Sequence, residues 1–235
     1  MALDVYVGSL TRYYAGDWEN VAERKARERS MNRPPGPVRA VEDRAAVERI
    51  RTAVLHWRET LGASLGANAT MSLDWDESAD APFFVGRPGW DGFGSLVLWA
   101  AYAEHPGLPR PVVLPEEWDD DPALMRCNAE GMRSRFSHLV RNVELWLPSP
   151  FDFILEGQDV DGRRIVIGSS STLDRQLADL NGATWKAGAH ESAGWAHIVP
   201  TSDASLERRA RYAFAVLVDL VRQAATHRLV MKLDF

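Results

Sequence analysis

The pattern of residues 151–169 constrains the fold of this 235-residue chain more than any other stretch. Apolar residues alternate with polar ones on both sides of an Asp-Gly pair; they are Phe151, Phe153 and Leu155 before Asp161-Gly162, and Ile165 and Ile167 after it. Alternation with a period of two is typical of strands, and an Asp-Gly pair between two such runs favours a tight turn. The pattern predicts a β-hairpin over residues 151–169, so the fold contains a sheet.

Both ends of the sequence show the same alternation. Leu3, Val5 and Val7 alternate with polar or aromatic neighbours, and Leu229, Met231 and Leu233 do so near the last residue. Because the two termini of a domain often lie close together, we expect these terminal strands to pair with each other.

Helices are predicted where apolar residues recur at steps of three and four. Such stripes cover residues 42–61 and 205–226, with Trp57 and Phe214 as expected core residues, while residues 93–104 are apolar on nearly every side. Further helices are predicted at 18–29, with Asp17 as cap, at 123–143 and at 171–181. There is no βαβ alternation and no repeat. The sequence therefore predicts an α+β fold: a small, mainly antiparallel sheet, made of the terminal strands plus the 151–169 hairpin, with five or six helices on one face.

Composition favours a globular protein, because 46% of the residues are hydrophobic and 26% are charged. We expect residues 1–235 to form a single domain with long, acidic, tryptophan-rich loops at about 64–92 and 105–122. The one cysteine, Cys127, excludes an internal disulfide and a cysteine-rich zinc module, and no run approaches the roughly 20 apolar residues of a membrane span.

The source and the compartment are also predicted from residue usage. The first residues lack the basic stretch and apolar run of a secretory signal, which favours a cytoplasmic protein. All basic residues except Lys25, Lys186 and Lys232 are arginine, and this bias, together with abundant alanine, favours a bacterial source.

Charge is distributed unevenly along the sequence. Residues 71–122 contain eleven acidic residues against only Arg87 and Arg110, within a chain of net charge −6. Such a surface disfavours nucleic-acid binding, which needs basic groups, and suits a basic protein partner, a cationic ligand or a metal ion. The alternative interpretation is a solvated acidic face that keeps the protein in solution.

Tryptophan stands beside acidic residues at several positions in this segment. Tryptophans that keep a polar edge at the surface resemble interface anchors, so we predict a partner-binding surface. Its residues are Asp74, Trp75, Asp76, Glu77, Trp90, Asp91, Trp118, Asp119 and Asp120. The alternative is that these tryptophans pin long loops to the core.

No familiar catalytic motif is present. The six histidines lack zinc-binding spacing, and Cys127 lacks a local group that would activate it. Two hypotheses remain. The first is a non-catalytic bacterial binding protein without a cofactor, such as an immunity protein that neutralises a basic toxin. The second is a metal-assisted hydrolase or phosphoesterase, in which Asp74, Asp76 and Glu77 bind Mg²⁺, Mn²⁺ or Ca²⁺ and Arg12 or Arg87 clamps an anion.

Overall fold

The computed structural model describes residues 3–29, 44–65 and 73–235. Part of the loop predicted at 64–92, and the first residues of the helix predicted from 42, lie outside the described residues. The described secondary structure comprises β1 (Asp4–Gly8), α1 (Leu10–Ala15), α2 (Val21–Arg29), α3 (Arg44–Leu65), β2 (Phe84–Gly86), α4 (Trp90–Glu104), α5 (Pro122–Glu130), α6 (Ser137–Val140), β3 (Leu145–Leu147), β4 (Leu155–Gln158), β5 (Arg164–Ser169), α7 (Ser170–Ala183), α8 (Ala189–Gly194), α9 (Leu206–His227) and β6 (Val230–Asp234).

The described strands form one six-stranded sheet in the order β2-β1-β6-β3-β5-β4. The predicted pairing of the terminal strands is confirmed, because β1 and β6 are antiparallel from Asp4 opposite Asp234 to Gly8 opposite Val230. The hairpin is confirmed as well, with Leu155 opposite Ile167, although its first strand begins at Leu155 rather than at residue 151.

The sheet is mixed, and the prediction that it is mainly antiparallel is wrong. β3 runs parallel to β5, with Leu145 opposite Ile167 and Leu147 opposite Ser169. The sequence did not predict β2 or β3, because a three-residue strand is too short to show alternation, and all three residues of β3 are buried. A strand covered on both faces carries no polar side to reveal its period.

Helices cover both faces of this sheet, not one as expected. On one face α4, α7 and α9 pack around Val5, Trp146 and Met231; on the other, α1 and α3 pack against Leu145 and Ile167. Phe214 of α9 is buried as predicted, whereas Trp57 of α3 is half-buried.

The described residues form nine α-helices instead of five or six, because several are only four to six residues long. The helix predicted at 123–143 is interrupted, since Gly131 adopts a positive φ of 62° and ends α5. The helix predicted from Trp18 begins at Val21, because the carboxamide of Asn20, not Asp17, accepts hydrogen bonds from the N–H groups of Ala22 and Glu23. The buried helix predicted at 93–104 is confirmed as α4, in which every residue from Gly92 to Tyr102 is buried.

No helix in the described part combines the length and the apolarity that a membrane crossing requires.

Candidate functional sites

The three carboxylates of the first acidic run contact three separate partners. Glu77 is buried, and its oxygens accept hydrogen bonds from the backbone N–H groups of Leu10 and Thr11, both at 2.9 Å. It therefore stabilises the start of α1, whose first N–H groups have no partner within the helix. Glu77 is only 6% exposed, and both of its oxygens are used inside the protein.

Asp76 and Asp74 are engaged by other groups. Asp76 Oδ1 accepts a hydrogen bond from the N–H of Ser78 at 2.8 Å, and this contact lowers the pKa of the Asp76 carboxyl. Asp74 Oδ2 lies 2.5 Å from Arg228 Nη2, and Asp74 Oδ1 lies 3.9 Å from Arg58 Nη1. Among the described residues these carboxylates do not converge on a common point where a metal ion could bind.

The two arginines suggested as an anion clamp also have partners inside the protein. The guanidinium of Arg12 donates to the backbone carbonyls of Ala79 and Ala81. The guanidinium of Arg87 forms a bidentate pair with Asp4, at 2.5 and 2.8 Å. Both side chains therefore hold the β1 region to the segment that precedes α4.

Each tryptophan of the predicted surface packs against another part of the protein. Trp75 is only 2% exposed, and its ring lies 6.1 Å from that of Trp57. Trp90 is half-buried against Phe235, with ring centroids 5.3 Å apart. Trp118 is half-buried over α4, where a Cβ added to Gly94 would lie only 2.6 Å from the indole ring. These contacts fit the alternative interpretation, in which the tryptophans hold long segments to the core.

Trp90 and Asp91 lie in basic surroundings. They line a cavity of about 650 Å³ together with Arg24, Arg87 and Arg209. Asp91 Oδ2 forms an ion pair with Arg209 Nη1 at 3.0 Å. Because arginines surround Trp90 and Asp91, these two residues do not extend the acidic surface formed by the other carboxylates.

The second acidic run differs, because its carboxylates face solvent. We call residues 112–121 the acidic loop. Glu116, Glu117, Asp119 and Asp120 are exposed, and no ion pair in the described part of the chain involves any of them. Arg110, the basic residue nearest in sequence, instead lies over the ring of Trp99, 3.7 Å from its centroid. The negative charge of this loop is uncompensated by the described residues.

Three contacts fix the acidic loop on the protein. At its start, Val112 accepts a hydrogen bond through its carbonyl oxygen from the N–H of Leu206 at 2.8 Å. In its middle, Trp118 packs on Gly94. At its end, the buried Asp121 accepts from the hydroxyl of Tyr102 at 3.0 Å and from the N–H of Ala123 at 2.8 Å, which caps α5. The exposed carboxylates are thus held on a fixed backbone.

Exposed aliphatic side chains accompany these carboxylates. Val112 is 79% exposed, Val113 55%, and Met125, in the first turns of α5, 54%. A shallow cavity of about 520 Å³ lies in the same segment, lined by Glu116, Glu117, Asp120, Asp121 and the two flanking prolines. The loop therefore offers apolar contact area beside a concave acidic surface.

A polar cleft that no sequence pattern indicated lies beside α1, β5 and β6. A cavity of about 680 Å³ is lined in part by Tyr13, Tyr14, Glu144, Asp159 and Lys232. Lys232 is only 7% exposed, and its Nζ lies 4.0 Å from Asp159 Oδ2. Burial raises the pKa of Glu144, and the nearby ammonium of Lys232 opposes this effect.

The groups of this cleft are largely paired with one another. Tyr13 donates its hydroxyl hydrogen bond to Asp234 at 2.9 Å, and burial together with that carboxylate raises the pKa of Tyr13. Lys232 could not be recognised as part of a site from sequence, because on a strand it is one polar residue among apolar ones. The arrangement is a partly buried charge network that lines the cleft.

Comparison with known proteins gives no match: no family model, no curated protein and no solved structure is significantly similar to this chain.

Proposed function

We propose that this chain is a non-catalytic binding protein that neutralises a basic protein partner through the acidic loop, as an immunity protein blocks a cationic toxin. One observation carries the proposal: four exposed carboxylates, with no described cation paired to them, stand on a loop that is fixed at both ends and in the middle.

A fixed acidic surface suits this function for two reasons. Uncompensated charge attracts a basic partner over several ångströms and so raises the rate of association. A loop that is already ordered loses little conformational entropy when the partner binds. Val112, Val113 and Met125 add apolar area, which slows dissociation once the partner has docked.

The proposed surface is narrower than the one expected from sequence. It keeps Asp119 and Asp120, with Trp118 as the residue that supports them, and it adds Glu116 and Glu117. It omits Trp75 and Glu77, which are buried, and Asp74 and Asp91, which pair with arginines.

The proposal includes a bacterial source and a cytoplasmic location. Arginine in place of lysine supports the source, and a buried free thiol at Cys127 suits a reducing compartment. The balance of charge, −6 over the chain, supports a protein partner over nucleic acid. The hydrolase alternative gains no support from the geometry, because Asp74, Asp76 and Glu77 have separate partners.

Affinity capture with three forms of the protein tests this function. The loop variant replaces Glu116 and Glu117 with Gln and Asp119 and Asp120 with Asn. The control variant makes the same change of charge at four exposed acids elsewhere, Asp174→Asn, Asp179→Asn, Glu191→Gln and Asp219→Asn. We expect a basic protein from the native host to be retained by the wild type and by the control and to be lost by the loop variant.

The partner is then purified and its association with all three forms is measured at two ionic strengths. The loop variant should associate at least tenfold more slowly at low salt and should show a weaker salt dependence. A partner that binds all three forms equally, or the absence of any basic protein that distinguishes them, would contradict the proposal.

A further inference from the structure

A group of metal-ligating side chains occurs where the end of α4 meets α5. Glu104 is the last residue of α4, His105 follows it as the C-cap, and Cys127 lies on α5. One ligand atom from each of these three side chains lies within 4.8 Å of the other two, and no other such group of three occurs in the described part of the chain. The separation in sequence hides this group, since 21 residues stand between His105 and Cys127.

The imidazole of His105 has a buried nitrogen without a hydrogen-bond partner. Its side chain is 10% exposed, and Nε2 is shielded from solvent. The nearby Glu130 Oε1 is 3.8 Å away, beyond hydrogen-bonding distance. A buried polar atom that lacks a partner raises the free energy of the folded protein, unless a ligand supplies the missing interaction. This nitrogen points to a ligand that accepts its lone pair.

The distances in the group fit a small tetrahedral ion. Cys127 Sγ lies 3.7 Å from Glu104 Oε2, and His105 Nε2 lies 3.8 Å from Glu130 Oε1. Bonds of about 2.0 to 2.3 Å from zinc to oxygen, nitrogen and sulfur place neighbouring tetrahedral ligands roughly 3.5 Å apart. The ligand atoms of Glu104, His105 and Cys127 lie within 4.8 Å of one another, so side-chain shifts of up to about 1 Å bring all three to this spacing.

The surrounding hydrogen bonds hold the Glu104 carboxylate in place. Its Oε2 accepts from the hydroxyl of Ser134 at 2.9 Å, and its Oε1 accepts from the N–H of Arg135 at 2.8 Å. Partners of this kind orient a metal-binding carboxylate while leaving lone pairs for the ion.

We propose that Glu104, His105 and Cys127 bind a Zn²⁺ ion, with a water molecule as the fourth ligand. Thiolate and imidazole donors favour zinc over Mg²⁺ and Ca²⁺, which prefer oxygen ligands alone. The ligands come from the C-terminal end of α4 and from α5, so we assign the ion a structural role. It ties α5 to α4 just beyond the acidic loop, and the inference does not depend on the proposed function.

Binding exchanges the proton of the Cys127 thiol for the metal, and the proton passes to solvent. The Cys127 thiol donates a hydrogen bond to Glu104 Oε2 in the structure, so it carries its proton before the metal binds. The S–H bond is replaced by a bond from sulfur to zinc, and no electron is transferred.

Cobalt(II) is a direct probe, because a thiolate bound to it gives a charge-transfer band in the near ultraviolet. Cys127 is the only cysteine, so this band can arise from no other residue. We expect the metal-free full-length protein to show the band, saturating at one cobalt ion per chain, and to lose it when one equivalent of Zn²⁺ is added. Zinc should also raise the melting temperature by several degrees, whereas Mg²⁺ should not.

Variants separate this site from chance binding. Cys127→Ala should abolish the band, and His105→Gln and Glu104→Gln should each weaken zinc binding at least a hundredfold. Ser134→Ala, which removes a hydrogen bond to a ligand, should weaken binding about tenfold. His190→Gln changes an exposed histidine elsewhere and should leave binding unchanged.

Circular dichroism of each metal-free variant shows whether it is folded, and the affinity of the folded variants decides the result. If the wild type gives no thiolate band at one equivalent of cobalt, the site does not exist. Zinc affinity that is unchanged in folded His105→Gln and Glu104→Gln proteins would equally overturn the assignment.

Discussion

The carboxylate of Glu77 and the indole N–H of Trp75 form a 2.6 Å hydrogen bond inside the protein. The same carboxylate accepts hydrogen bonds from the first two N–H groups of α1. Two residues that the sequence marks as members of an acidic, aromatic surface thus hold α1 against the sheet, and this contact leads to the first prediction.

Glu77→Gln should lower the free energy of unfolding by about 1–3 kcal/mol, because a carboxamide has one acceptor oxygen for three donors and no negative charge at the helix start. Urea denaturation measures the change. Asp80→Asn, in an exposed acid three residues further on, serves as the control and should change stability by less than about 0.5 kcal/mol. Equal effects of the two substitutions would show that the buried carboxylate does not stabilise α1.

Phe214→Ala should destabilise the protein by about 3–5 kcal/mol, since its ring is 3% exposed and packs between Trp185 and Trp195. Trp57→Ala should have about half that effect, because Trp57 is half-buried and part of its surface already contacts water. The comparison requires the same denaturant and the same temperature for both proteins. A larger loss of unfolding free energy in Trp57→Ala than in Phe214→Ala would mean that the α3 face contributes more to stability than its burial indicates.

Gly94→Ala should displace Trp118, because the new methyl group would lie 2.6 Å from its ring. We expect a loss of about 1–3 kcal/mol and, if the acidic loop binds the partner, slower association. Gly182→Ala in α7 is the matched control: a methyl group there meets no atom within 4 Å, and alanine stabilises a helix by up to about 1 kcal/mol. Tryptophan fluorescence and thermal unfolding report both effects, and a Gly94→Ala protein as stable as the wild type would contradict the packing of Trp118.

The free energy of unfolding should decrease as the pH is lowered, because of His138. Its side chain is fully buried, and burial lowers the pKa of His138 from 6.5 to about 4. Between these values the unfolded chain binds a proton that the folded protein does not bind. Neutral His138 therefore contributes about 3 kcal/mol to the free energy of unfolding above pH 6.5. This contribution is lost as the pH falls toward 4.

Denaturant unfolding at several pH values measures this dependence. Between pH 6.5 and 4, the free energy of unfolding should depend less steeply on pH in His138→Gln than in the wild type. This dependence should be unchanged in His190→Gln, where the histidine is exposed. Identical slopes in all three proteins would show that His138 titrates normally in the folded state.

Within the proposed interface, Val112→Ser and Val113→Ser should affect partner binding differently from substitutions of the acidic-loop carboxylates. These side chains contribute contact area but no charge, so the double variant should dissociate several-fold faster with a nearly unchanged association rate. Surface plasmon resonance with the purified partner separates the two rates. Slower association instead would show that the valines alter the loop backbone.

The sequence determined those parts of the fold that depend on local pattern. Alternation at the two ends predicted β1 and β6, and the Asp161-Gly162 turn predicted the β4–β5 hairpin, because the period of two follows directly from strand geometry. The continuous apolar run predicted α4 as a buried helix. The sequence also located the concentration of negative charge in residues 71–122.

Tertiary structure alone decided which of these charges reach solvent. Asp76, Glu77 and Asp121 bond to backbone N–H groups, and Asp74 pairs with arginines from distant segments, whereas Glu116 and Asp120 remain exposed. The meeting of His105 with Cys127 and the parallel pairing of β3 with β5 were equally hidden. A local pattern records the period of one element, while a contact between elements depends on how their faces pack, and that is fixed only when the whole core assembles.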